Sequence, residues 1–202
     1  MSSRRTIGPR PHPPQVEAAS AAFRPELDAA YREGYFDAAR HLAGRVRNEH
    51  LDRWLMFPAI YCYRHAIELS LKSLIRRYSG LVAQMVECNL ESEHGLMQLW
   101  HEAQRHLAMV YTAGKEDTDR NVERCLKELH DVDRNSQLFR YPTNKSGASV
   151  EALLPRIDVG QLVRTMDNLR AFLEACEAQA DYLIECHEQA WEALAPEPRC
   201  EW

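Results

Sequence analysis

Glycine is scarce in this chain, at 8 of 202 residues. No Gly-rich phosphate loop, nucleophile elbow or zinc-ligand pattern occurs, which excludes the chemistries built on those motifs. No apolar run approaches the roughly 20 residues that cross a bilayer, so a membrane helix is excluded from the reading. An excess of basic charge is also missing. The 25 Lys and Arg stand against 30 Asp and Glu, for a net charge of -5, which argues against a broadly basic nucleic-acid surface but leaves room for a local basic groove. The six cysteines (Cys62, Cys88, Cys125, Cys176, Cys186, Cys200) show no metal-ligand or redox-motif spacing. They read as reduced thiols acting as small hydrophobes, in the cytoplasm. The opening MSSRRTIGPRPHPPQ lacks the apolar core of a signal peptide and reads as a disordered leader.

What the chain does hold is helical pattern. Ala, Leu, Glu and Arg are plentiful, apolar residues make up 45% and charged residues 27%, which suits one ordinary globular domain. Residues 1–15 are assigned to the Pro-rich leader, 16–194 to a single-domain all-α bundle and 195–202 to a flexible tail. The first helical pattern covers about 16–46, with a break expected at Pro25, and Leu27, Tyr31, Ala38, Leu42 and Val46 as its packing face. Helices follow at about 94–111 and 117–130. The longest pattern runs from Asp158, a natural N-cap, to about 194. Such a helix exceeds what a compact bundle needs, so its overhang is a candidate for dimerisation, with a kink as the other explanation.

The chain is organised around residues 58–77, PAIYCYRHAIELSLKSLIRR. Proline opens this stretch, where a missing N–H costs nothing, and Gly80 is placed to end it in a left-handed cap. At about 100° per residue, Tyr61, Arg64, His65, Glu68, Lys72 and Arg76 gather on one narrow arc. The rest of the circumference is apolar, so this helix is expected at the bundle centre. His65, Glu68 and Lys72 stack at i, i+3 and i+7. His94 and Arg140 are the groups expected to join them from elsewhere. A carboxylate beside a His and a Lys tunes proton affinity, and an Arg offers a planar fork to phosphate. The bland alternative is a solvated face with an ordinary Glu68–Lys72 ion pair. Glu91 and His94 have the Glu-x-x-His spacing of di-iron bundles, but no second such motif occurs, and no metal or cofactor is assigned. The four tryptophans read as core or termini, not as a base-stacking platform.

RHAIELSLKSLI after a proline, HGLMQLW, and DRNSQLFRYP after another helix together resemble the HEPN-type helical proteins, over roughly residues 55–142. The resemblance implies an all-α bundle, often a homodimer, of bacterial toxin–antitoxin, defence and RNA-processing systems. Many members are metal-independent endoribonucleases, and others serve as binding or assembly modules. Catalytic members carry an Arg, four to six residues, and a His. Arg45 with His50 and Arg124 with His130 have that spacing here. Each departs from the family pattern in the residue after the Arg (Val46 and Cys125), and on an unbroken helix a six-residue step turns by roughly 240°. His65, Glu68, Lys72, His94 and Arg140 are therefore the first set and Arg124 with His130 the second. The expected function is RNA-directed, as a nuclease or as a non-catalytic scaffold for RNA or a partner protein.

Overall fold

The computed structural model describes residues 25–46, 52–82, 86, 89–110, 116–133, 138–140 and 157–194. Five α-helices follow in order: α1 (Pro25–Arg45), α2 (Met56–Val82), α3 (Leu96–Val110), α4 (Glu116–Val132) and α5 (Val159–Leu194). Short 3₁₀ turns occupy Asp52–Leu55 and Leu138–Arg140. Among the described residues there is no strand, and no helix is long and apolar enough to cross a membrane. The expected all-α single domain with a long C-terminal helix is what is found. The predicted leader and tail, residues 16–24, His50, Cys88, Cys200, Tyr141 and Pro142 lie outside the described residues.

Helix α2 is the central element, packed against α1, α3 and α5. Its Ala59, Tyr63, Ala66, Ile67, Leu71, Leu74, Ile75 and Tyr78 are buried in the main core, as its mostly apolar circumference requires. The core continues through Leu96, Leu99 and Trp100 of α3 and Met166, Leu169 and Leu173 of α5. Gly80 does not cap the helix. The chain passes through it in helical conformation to Val82, because Leu81 still has the core to pack against.

Helix α1 begins at Pro25, where the break was expected, and Leu42 and Val46 of its expected face pack against the core, whereas Leu27, Tyr31 and Ala38 do not. Leu27 and Tyr31 are 60% and 57% exposed, while Arg32, Phe36, Ala39 and Ala43 are buried. The two alanines let the backbones approach closely, and Arg32 reaches the carboxylate of Glu177 on α5 through both of its terminal nitrogens. Arg170 of α5 also lies over the Phe36 ring and pairs with Glu33. Steric fit and ion pairing with α5 therefore overrode the larger apolar side chains.

The 36 residues of α5 extend to about 54 Å at 1.5 Å each. Asp158 caps the helix as its sequence position suggested, accepting from the Gln161 N–H at 2.9 Å. Asp158→Ala is expected to cost about 1 kcal/mol, read as a lower midpoint in urea with an unchanged slope.

Candidate functional site around Glu68 and His94

The polar arc of α2 is not a wet face. Arg64, Glu68 and Lys72 are all buried, with Glu68 only 2% exposed. The cause is the connection entering α3. It turns at Asn89, whose carbonyl accepts from the N–H groups of Ser92 and Glu93, and it lays His94 across the arc before α3 begins. Glu68 Oε1 accepts from Lys72 Nζ at 3.0 Å and from His94 Nδ1 at 2.8 Å, and Oε2 accepts from Arg64 Nη1 at 3.2 Å. Arg64 in turn donates to the carbonyls of His94 (2.7 Å) and Asp133 (3.0 Å). One fully buried guanidinium thus ties α2 to the start of α3 and the end of α4.

Burial acts to raise the Glu68 pKa, but the hydrogen bonds from His94 and Lys72 and the Lys72 charge outweigh it, and the carboxyl is held below its usual value. An ionised carboxylate has no proton to give, so His94 Nδ1 carries the hydrogen in this pair. The other nitrogen, Nε2, is left to give or take a proton, on a side chain that is 52% exposed. A carboxylate behind a histidine in this way fixes the tautomer and aims the ring.

Folding lowers the Glu68 pKa, so the unfolded chain binds more protons as the pH falls. The stability this group contributes is complete above its usual value of 4.5 and is lost as acidification passes through the folded-state value. Thermal midpoints of wild type and Glu68→Gln are expected to differ most near neutral pH and to converge as the pH falls below 4.5 and through the folded-state value. A constant difference down to that pH would contradict this.

His65 lies on the same helix but does not bond to Glu68. Its ring stacks parallel to Tyr61 (centroids 5.9 Å apart, planes at 4°) and meets Tyr35 of α1 edge-on at 4.5 Å. Burial pushes its pKa down. Glu68 opposes that, and the charges of Arg140, Lys72 and Arg64 reinforce it. The ring is neutral at pH 7. Arg140 sits over the outer side of Tyr61, 5.2 Å from the ring centroid. Its neighbour Phe139 is buried against Phe57, and that anchor places the guanidinium.

Three of the five residues in the first predicted set therefore meet directly, Glu68, Lys72 and His94, while His65 lies beside them against Tyr61 and Tyr35. Arg140 reaches the cluster through Tyr61. Arg124 and His130 share the unbroken helix α4, and Arg124 bonds to Asn121, one turn away. Glu91, of the Glu-x-x-His spacing, pairs with Arg76. Comparisons with known proteins leave the site to be read from its own geometry. No family model, curated protein or solved structure matches this chain.

Sequence reasoning missed three participants. Arg64 stood on the arc without a role, because nothing in the sequence points to the two carbonyls it binds. Tyr61 also stood there without a role. Tyr35 belonged to a helix whose buried face was misassigned, so nothing in the sequence led it to His65. An apolar cleft of about 420 Å³ between Ile60, Leu129, Phe139, Leu162 and Met166 holds none of the predicted site residues.

Proposed function

We propose that the protein is a HEPN-like, RNA-directed bundle that cleaves RNA without a metal ion, through the polar arc of α2. The observation that supports this is a buried, ionised Glu68 holding one nitrogen of a half-exposed histidine. Burying three charges on one helix is a poor route to stability compared with apolar packing, and groups held in this way concentrate at functional sites. On this reading neutral His65 takes the proton from the ribose 2′-OH. The oxygen attacks the adjacent phosphorus, the bond to the 5′-oxygen breaks, and His94, protonated at Nε2, gives that oxygen its proton. Arg140 holds the phosphate. Glu68 positions His94, and Lys72 and Arg64 keep Glu68 charged. The products are a 2′,3′-cyclic phosphate and a 5′-hydroxyl.

The same reading places the protein in the cytoplasm as a homodimer, with the exposed distal part of α5 around Tyr182 as the surface for a second copy. Its test is incubation of purified protein with mixed RNAs and a metal chelator. Fragments ending in cyclic phosphate support the nuclease. A second reading, a non-catalytic scaffold for RNA or a partner protein, is favoured by one observation: both Glu68 oxygens are already engaged by side chains. Stoichiometric RNA binding without fragments supports that reading.

A further inference from the structure

A continuous strip of π groups runs from α1 across α2 to the 3₁₀ turn before residue 141. Tyr31 meets Tyr35 edge-on at 5.2 Å with their hydroxyls 3.4 Å apart, Tyr35 meets His65 at 4.5 Å, His65 stacks on Tyr61 at 5.9 Å, and Arg140 lies over Tyr61 at 5.2 Å. The middle of this strip is half-buried and fixed by its own contacts. Its two ends are exposed: the Tyr31 ring at one, the Arg140 guanidinium plane at the other. The hydrogen bond with Tyr31, helped by burial, pushes the Tyr35 phenol up to about 12, so that ring stays neutral.

Tyr35 and Tyr61 pack against the core, but Tyr31 at the outer end of the strip is mostly exposed. A tyrosine 57% exposed at the end of an aromatic ladder gains little by burial. The local charge also differs in sign from the chain as a whole. Arg140, Lys72 and Arg64 stand here against two carboxylates, Glu68 and Asp133, in a molecule of net charge -5. Arg140 makes no ion pair among the described residues. Asp28, one turn from Tyr31, is paired with Arg76. Exposed π surfaces beside unpaired positive charge suit a ligand that alternates flat rings with anionic links.

We propose that this strip is a stacking platform for single-stranded nucleic acid, with an unpaired base resting on the Tyr31 ring and a phosphate drawn to the exposed Arg140 at the other end. Stacking of this kind tolerates any base but requires that the bases be free of a partner strand. The platform rests on the reading of RNA as the ligand and adds what form of RNA is taken. It predicts that single strands bind and duplexes do not.

The test is fluorescence anisotropy with a labelled 12-nucleotide 2′-O-methyl RNA, which cannot be cleaved through its 2′ position, so that binding is measured apart from cleavage. Tyr31→Leu is expected to weaken binding about tenfold, Tyr31→Phe to restore it, and the matching duplex to bind at least tenfold more weakly than the single strand. Arg140→Gln, also at an exposed position, is expected to weaken binding and to flatten its salt dependence. With cleavable RNA, Tyr31→Leu should raise KM more than it lowers kcat, because Tyr31 reaches His65 only through Tyr35. Tyr31→Leu binding like wild type overturns the platform, as does equal affinity for duplex. So does a loss of binding that only tracks a loss of self-association, which would make the strip a contact between copies. Cleavage with Tyr31-independent binding removes the platform alone. Tyr31-dependent binding without any cleavage removes the nuclease reading and leaves the platform standing.

Discussion

His94→Ala is expected to lower RNA cleavage by roughly a hundred- to ten-thousand-fold, the usual worth of a positioned acid or base, while the protein stays folded. The second half of that statement follows from the way His94 is used. Its carbonyl, which accepts from Arg64, belongs to the backbone and survives the substitution. Its side chain is half exposed, so truncation opens no cavity in the core. Glu68 keeps Lys72 and Arg64 as donors. The loss should therefore appear in kcat, with binding of an uncleavable RNA unchanged, as for an interaction used only in the transition state. His65→Ala is the companion variant and should show a comparable loss, since the mechanism needs both a base and an acid.

Arg64→Met is expected to act on stability instead, by about 3–5 kcal/mol. For a domain of this size that is a fall of roughly 6–20 °C in thermal midpoint. Arg64 is fully buried and satisfies the carbonyls of His94 and Asp133 together with Glu68. Removing it strands two backbone acceptors and takes one of three donors from a buried carboxylate. Lys72→Met removes only one donor and should cost less. The double variant Arg64→Met with Glu68→Leu should recover part of the loss, because it removes the buried charge along with its partner. Differential scanning calorimetry of the four proteins measures this directly. A double variant no better than Arg64→Met would mean that the lost carbonyl bonds dominate.

These two variants separate what the sequence made legible from what it did not. The central helix could be read from its own periodicity, since an apolar circumference with one polar strip has few placements other than the middle of a bundle. The pairing of Glu68 with Lys72 followed from spacing alone. The approach of His94 was expected, but spacing could not supply it, because it depends on a turn at Asn89 that brings a residue 26 positions away onto the same carboxylate. Whether the polar strip was a site or a solvated face stayed open in the sequence. A strip of three charges and the connection that covers it look the same in sequence as a strip left open. Helix α1 was misread for a different reason. Hydrophobicity favoured Leu27 and Tyr31, whereas packing chose the small Ala39 and Ala43 and a buried Arg32 whose partner lies on α5. Tyr35 was lost to the same error, and with it the aromatic strip.

The central claim is that the covered polar arc of α2 acts on RNA through His94. Its most direct test is the end-group chemistry of RNA incubated in chelator with wild type and with His94→Ala side by side. The account predicts fragments ending in 2′,3′-cyclic phosphate from the wild type and almost none from the variant. Equal cleavage by both, or intact RNA with the folded wild type, would contradict it.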